Sequence, residues 1–175
     1  MKNLTKRLVK TIAAIALLIG TGFTSAHAQL TSGDALLTLT LTDVMALAVT
    51  TPAVPLGFAN VTDYQNGVNT DLVAQLTVSS NRPYDIKVKA GGDLTATVGN
   101  ETIPVSKITV QPIPSQTGLG TMSAVNLSTT DQVIVDNAPG AMAKIVGVRY
   151  STNDTSAFIK SGIYTSTITY SISAN

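Results

Sequence analysis

The sequence predicts an all-β fold built from antiparallel strands. Many short runs rich in valine and threonine alternate apolar and polar residues, as half-buried strands do. Glycine, proline and asparagine separate these runs at near-regular intervals, which is typical of turns between neighbouring strands. After the first 28 residues, no segment carries a convincing apolar stripe at helical spacing. Together these observations favour strands over helices along the whole remaining chain.

Residues 1–28 have the pattern of a secretory signal peptide. Four basic residues precede an apolar run over residues 11–19, and Ala26-His27-Ala28 supplies an A-x-A cleavage site. The apolar run is too short to span a bilayer. We therefore expect an exported chain that begins near Gln29, crosses a periplasm in transit and ends outside the cell or on its surface. We expect the chain to contact a membrane only during export.

Removal of the signal peptide changes the composition of the chain that would carry the function. The remaining chain of about 147 residues has seven basic and ten acidic residues, a formal charge of −3, and contains neither histidine nor cysteine. Because acidic residues outnumber basic ones, the composition argues against a nucleic-acid partner. Without imidazole or thiol, the usual zinc sites, the common nucleophilic centres and disulfides are excluded. We therefore expect one non-enzymatic domain with no cofactor and no metal, stabilised by its core alone.

The N-terminal segment of the exported chain, residues 29–50, is the most informative stretch. Leu37, Leu39 and Leu41 alternate with threonines, which predicts a strand over residues 35–42 with one apolar face. A second apolar run, which includes Met45 and Leu47, follows directly. Because the predicted strand has no charge and no proline, it would aggregate if left uncovered. Either the rest of this chain or another subunit must cover it.

Residues 51–175 are predicted to form a single domain of short strands. Residues 54–58 indicate an edge strand or bend, and residues 60–71 a polar loop. Two strands should follow, and in the second of them Tyr84, Ile86 and Val88 should face the core. The predicted strands are residues 72–78, 84–88, 93–98, 101–105, 108–110, 125–127, 133–135, 141–150 and 163–173. A Gly99-Asn100 turn should join 93–98 to 101–105 as a hairpin.

The predicted last strand begins just after Gly162. Its apolar face should carry Tyr164, Ile168, Tyr170 and Ile172, opposite a face of threonine and serine. This strand completes a set of many short strands at near-regular spacing. The set predicts an immunoglobulin-like antiparallel β-sandwich, with a closed barrel as the structural alternative.

Few clusters of residues could carry chemistry. The oxygen-rich loop at residues 60–71 could hold calcium, but its spacing is not that of an EF-hand and a solvated loop is favoured. Asp85, Asp93 and Glu101 lie at turns or outward positions, where we interpret them as solubilising charges. Most of the five tyrosines fall at inward strand positions, which favours core packing over a sugar-stacking platform.

Four short segments give the exported chain a resemblance to a known family. They are Leu37-Thr38-Leu39-Thr40-Leu41, the pair formed by residues 76–81 and 84–88, Ile103-Pro104-Val105-Ser106, and Ser161-Gly162-Ile163-Tyr164. In this pattern the chain resembles the cysteine-free alternate class of chaperone–usher pilins. It is also similar to other secreted bacterial sandwiches, including WxL-like surface domains. It departs from the classical pilins at the next-to-last residue, where Ala174 stands in place of their tyrosine.

The resemblance implies assembly by strand addition. Such pilins lack their final strand, a periplasmic chaperone fills the resulting groove, and at the usher the N-terminal arm of the next subunit replaces the chaperone. Here the resemblance assigns the arm to Leu37, Leu39, Leu41, Met45 and Leu47. It assigns the edge of the final strand to Gly162, Tyr164, Ile168, Tyr170 and Ile172. Burial of the five arm residues would contribute on the order of 10 kcal/mol before the arm is ordered.

The alternative is a self-contained sandwich in which residues 35–49 are simply the first strands. The protein would then be a secreted or surface module that binds carbohydrate or protein. We would then expect its contact loops to be residues 60–71 and 111–122.

Overall fold

The computed structural model describes residues 36–152, 155–158 and 160–175. The predicted signal peptide and residues 29–35 of the N-terminal segment lie outside the described residues. The chain divides into two compact units, Met1–Thr40 and Leu41–Asn175, of which the second contains every described strand. Its strands are β1 Met45–Val49, β2 Asn69–Ser80, β3 Tyr84–Ala90, β4 Leu94–Ala96, β5 Thr102–Ile103, β6 Ile108–Pro112, β7 Thr121–Met122, β8 Val125–Asn126, β9 Gln132–Ala138, β10 Ala141–Thr152, β11 Tyr164–Thr165 and β12 Ile168–Ala174.

The all-β prediction is confirmed. The strands form three antiparallel sheets with the orders β1-β2-β10-β6-β8, β12-β3-β9-β7 and β11-β4-β5. One α-helix, α1 at Val61–Asn66, and 3₁₀ turns at Val105–Lys107 and Thr155–Ala157 complete the described elements. None of the described helices is long and apolar enough to cross a membrane.

One cluster of buried side chains joins the two larger sheets. The five-stranded sheet contributes Leu76 and Val78 from β2, and the four-stranded sheet contributes Ile86 and Val88 from β3. Every second residue of β3 is buried, as its alternation predicts. The predicted pairing of a hairpin is also confirmed, because β4 pairs with β5. The two-residue turn is wrong, since residues 97–101 connect the shortened strands and Gly99 takes a positive φ of 97° among them. Local period-2 patterns therefore identified the central strands correctly.

The prediction that residues 60–71 form a loop is wrong. Asn60 caps helix α1, because its side chain accepts a hydrogen bond from the backbone N–H of Asp63 at 3.1 Å. The Asp63 carboxylate accepts in return from the backbone N–H groups of Asn60 at 3.1 Å and Ala59 at 2.7 Å. This capping box satisfies N–H groups that the first helical turn leaves unpaired. Strand β2 then begins at Asn69, within the predicted loop.

The strand predicted over residues 35–42 is not formed in its described part, since residues 36–44 contain no strand. A strand is stabilised by pairing, and an isolated extended segment has no partner for its backbone groups. Residues 54–58 also form no strand, although Val54 and Leu56 pack against the core. Alternation alone therefore does not identify a strand where no neighbouring strand is available.

The predicted last strand is interrupted and its two parts belong to different sheets. Strand β11 pairs with β4, whereas β12 pairs with β3 along its whole length. The chain changes sheet at Ser166 and Thr167. There the Ser166 hydroxyl donates to the Gly92 carbonyl at 2.7 Å, and the Thr167 carbonyl accepts from the Gly91 N–H at 2.8 Å.

Candidate functional site

Two edge strands lie close together and mark the candidate site. Strand β12 pairs with β3 on one side, and no described strand pairs with its other side. Strand β1 is the corresponding edge of the five-stranded sheet and pairs with β2. The two edges approach each other. Their free backbone groups are available to a further strand.

The inward side chains of β1 are incompletely covered. Met45, Leu47 and Val49 stand opposite the fully buried Ser80, Val78 and Leu76 of β2. Directly paired residues project on the same face of a sheet, so all three side chains face the core. Nevertheless Met45 is 37% exposed and Val49 is 43% exposed. The core is therefore open along β1.

Strand β12 presents a matching row. Ile168, Tyr170 and Ile172 pack against the core and are half-buried, while Thr169 and Ser171 between them are exposed. We call the six residues Met45, Leu47, Val49, Ile168, Tyr170 and Ile172 the seam. Because two unpaired edges and two partly covered apolar rows meet there, the seam has the backbone groups and the apolar surface that an added strand requires.

The other two residues predicted for the final-strand edge lie elsewhere. Tyr164 belongs to β11, and Gly162 lies in the turn that precedes it. A side chain at Gly162 would stand 3.3 Å from the Tyr164 ring, so this glycine allows the ring to lie over the turn. The structure therefore brings together Ile168, Tyr170 and Ile172 of the predicted edge and excludes Gly162 and Tyr164 from it.

The predicted arm is also divided. Met45 and Leu47 belong to β1 and pair with β2 of the same chain, because their backbone groups find partners there. Leu37, Leu39 and Leu41 lie in the strandless segment and are 91%, 77% and 79% exposed. Such exposure of alternating leucines is unfavourable in water unless another surface covers them.

Two side chains that the sequence analysis did not identify fix the segment that leads into β1. The Asn81 amide donates to the Thr42 carbonyl at 2.8 Å, and its oxygen accepts from the Val44 N–H at 2.9 Å. Arg82 forms an ion pair with Asp43 at 2.7 Å. Both residues belong to the turn between β2 and β3, so the chain is held from Thr42 onward. The free part of the predicted arm therefore ends near Leu41.

A large cavity opens at the Ile168 end of the seam. Its volume is about 900 Å³, and Val49, Ile168 and Tyr170 of the seam contribute to its wall. Phe58, Tyr64 and Phe158 also line it. Phe58 stacks on Phe158 with ring centroids 4.9 Å apart, and the Tyr64 ring lies 5.0 Å from Phe58. Helix α1 thus contributes one of these three rings, that of Tyr64, to the cavity wall.

Three polar side chains form a chain of hydrogen bonds on the cavity wall. The Tyr150 hydroxyl donates to Gln75 Oε1 at 2.7 Å, since the amide oxygen can only accept. The Tyr170 hydroxyl also bonds to Tyr150 and must therefore be the donor in that pair. Burial raises the pKa of Tyr150 and of Tyr170 above the usual tyrosine value. The neutral hydroxyls thus link the five-stranded sheet to β12.

The structure gives no support to a calcium site at residues 60–71. Asp63 caps helix α1, and the Asp71 carboxylate forms two bonds with Arg149, at 2.6 Å and 2.7 Å. These bonds hold the pKa of Asp71 below its usual value. In the part of the chain that the structure describes, no three acidic, histidine or cysteine side chains are grouped as metal ligands would be.

The comparisons with known proteins add no family. No protein-family model matches this sequence, and no curated protein matches it at a significant level. The seam and the cavity are therefore interpreted from their own geometry and chemistry.

Proposed function

We propose that this protein is a non-enzymatic secreted structural subunit of a surface fibre, assembled by β-strand addition. The leucine-rich segment of one copy would add to the free edge of β12 in another copy. The observation that carries the proposal is the seam, where core-facing side chains stay exposed beside an unpaired strand edge. A strand added there would pair with the backbone of β12 and cover these side chains.

The leucine segment has the chemistry that such a strand requires. Leu37, Leu39 and Leu41 follow the spacing of two residues that directs side chains to one face of a strand. Each leucine would contribute ~1.5–3 kcal/mol on burial, or about 5–9 kcal/mol for the three before the segment is ordered. The intervening threonines would face outward.

The strand orders of the two larger sheets support a more specific proposal for the fold. We interpret it as an immunoglobulin-like sandwich in which β1, β2, β10 and β6 take the places of strands A, B, E and D. Strands β3 and β12 then correspond to C and F. In the complete fold, strand G pairs with the free edge of F. No described strand pairs with that edge of β12.

The proposed partners follow from the geometry of addition. A strand donated by one copy to the seam of the next is a head-to-tail contact, which does not close and so produces a filament. Other copies or related subunits would be the permanent partners. A periplasmic chaperone and an usher would handle the exposed seam during export, as the resemblance to pilins implies.

The alternative is a self-contained secreted or surface module that binds carbohydrate or protein. It is favoured by β1, because half of the predicted arm already pairs within its own sheet. The two proposals differ in whether the exposed leucines are needed for association between copies.

Leu39→Asp tests the proposal directly. The protein is purified from an exporting host, run on a denaturing gel with and without boiling, and viewed by negative-stain microscopy. We expect a heat-sensitive ladder of multimers and thin fibres, both abolished by Leu39→Asp because the carboxylate would be buried. Thr40→Asp is the matched control, since it adds the same charge on the opposite face, and should retain the fibres. A single monomer band before and after boiling would overturn the fibre proposal.

A further inference from the structure

The cavity beyond the seam has the size and lining of a site for a small molecule. Its volume of about 900 Å³ falls within the range of about 300–1,000 Å³ that is typical of ligand sites. Aliphatic side chains from several strands line it, among them Leu94, Ile103 and Leu127. The aromatic group of Phe58, Tyr64 and Phe158 lines another part. Most of this surface would be covered favourably by an apolar ligand.

The Tyr170 hydroxyl provides one hydrogen-bonding position in a cavity that is also lined by the hydroxyl side chains of Thr152, Ser161, Thr165, Ser166 and Thr167. Gln75 is 1% exposed and Tyr150 is fully buried, and both line the cavity together with Tyr170. Because Tyr170 uses its proton to bond with Tyr150, its oxygen keeps lone pairs that can accept a further hydrogen bond. A ligand hydroxyl group placed beside this oxygen would donate to it.

The described lining residues offer a strongly ionic ligand no unpaired charge. Lys160 is the charged side chain among the described lining residues, and its ammonium group pairs with the Glu101 carboxylate at 2.5 Å. This pairing raises the pKa of Lys160 and lowers that of Glu101, so both groups are charged and satisfied at neutral pH. A ligand carboxylate or phosphate would therefore find no free cation among the lining residues that the structure describes.

We propose that this cavity binds a small, uncharged and largely apolar molecule that carries one hydroxyl group, such as a long-chain alcohol. Its apolar body lies against the aliphatic and aromatic side chains, and its hydroxyl group donates to Tyr170. The inference does not require the fibre proposal, but the cavity shares Val49, Ile168 and Tyr170 with the seam, so it is tested on the monomer.

The test uses two probes on the monomer fraction of the protein from an exporting host. Diphenylhexatriene, a hydrocarbon that fluoresces in apolar surroundings, reports occupancy of the cavity, and 1-decanol is titrated to displace it. Leu56→Trp should fill part of the cavity and weaken binding of both probes by about tenfold. Val98→Trp adds the same ring at a position 88% exposed and outside the lining, and should leave both affinities unchanged.

Tyr170→Phe tests the hydrogen-bonding position separately. It removes the accepting oxygen while keeping the ring, so 1-decanol should bind about fivefold more weakly and diphenylhexatriene as before. Circular dichroism verifies that each variant is folded. The proposal is overturned if the wild-type monomer binds neither probe, or if Leu56→Trp binds both as tightly as Val98→Trp does. Equal weakening of both probes by Tyr170→Phe would overturn the assignment of the hydroxyl position.

Discussion

At the scale of single residues, the buried tyrosines define the interior. Tyr84 and Tyr150 are fully buried, and Tyr170 is half-buried on β12. Tyr150 and Tyr170 share a hydrogen-bond chain with Gln75, whereas the Tyr84 hydroxyl has no partner among the described residues. Burial is the main cause that raises the pKa of each of these hydroxyls above the usual tyrosine value of about 10. All three are therefore neutral in the folded protein over the physiological range.

These pKa shifts predict alkaline unfolding. A folded-state pKa above the unfolded value gives stability that is complete below pH 10 and lost as the pH rises above it, because unfolding then releases protons. Tyrosine ionisation, followed by absorbance at 295 nm, should therefore contain a cooperative step that coincides with the loss of circular dichroism. In Tyr170→Phe that step should lose about a third of its amplitude. Ionisation of all tyrosines below the unfolding transition would contradict the prediction.

At the scale of elements, the attachment of β1 determines where the free segment ends. Strand β1 is an edge strand of five residues, and the Asn81 side chain holds the backbone immediately before it. Edge strands with few contacts open most readily in native proteins. The turn between β2 and β3 therefore fixes the backbone between the exposed leucines and strand β1, which belongs to the core.

Asn81→Ala should loosen β1 selectively. The substitution removes both hydrogen bonds to the chain at Thr42 and Val44, which together contribute about 1–3 kcal/mol. Hydrogen exchange of the β1 amides should accelerate by about tenfold or more, while the amides of β9 serve as the internal control. If the β1 amides exchange at the wild-type rate, Asn81 does not hold the segment.

At the scale of the whole molecule, the fold has two large sheets and one partly open core. The three central strands β2, β3 and β10 supply most of the buried residues, and the exposure of core-facing side chains is concentrated at edge strand β1. Adding a strand to the free edge of β12 should therefore stabilise the folded state as a whole.

A fusion tests this prediction in one chain. Residues 35–44 are appended after Asn175 through a flexible glycine-serine linker, so that the added segment can reach β12 without an association cost. We expect the melting temperature to rise by about 10 °C and the purified protein to be monomeric. The control fusion carries Asp at all three positions equivalent to Leu37, Leu39 and Leu41, and should melt like the unfused protein. Equal melting temperatures for both fusions would show that β12 does not accept this segment.

Local sequence patterns predicted much of the fold, but they assigned several residues of the candidate site to the wrong elements. Alternation in β2 and β3 identified the central strands, because burial of one sheet face leaves a period of two in the sequence. The same rule predicted a strand around Leu39 that is not formed, because alternation records side-chain preference and not the presence of a partner. Helix α1 was missed, although Asn60 and Asp63 have the spacing of a capping box and could have indicated it.

The all-β character, the central strands and the β4–β5 hairpin follow from short-range rules of side-chain alternation and turn composition. The seam, the Asn81 attachment and the Tyr170–Tyr150–Gln75 chain depend on residues that are distant along the chain, separated by 20 and 75 positions in the hydrogen-bonded pairs of Tyr150. Their proximity results from the order in which strands pair. That order is a cooperative outcome of packing both sheets around one core, and no local pattern encodes it.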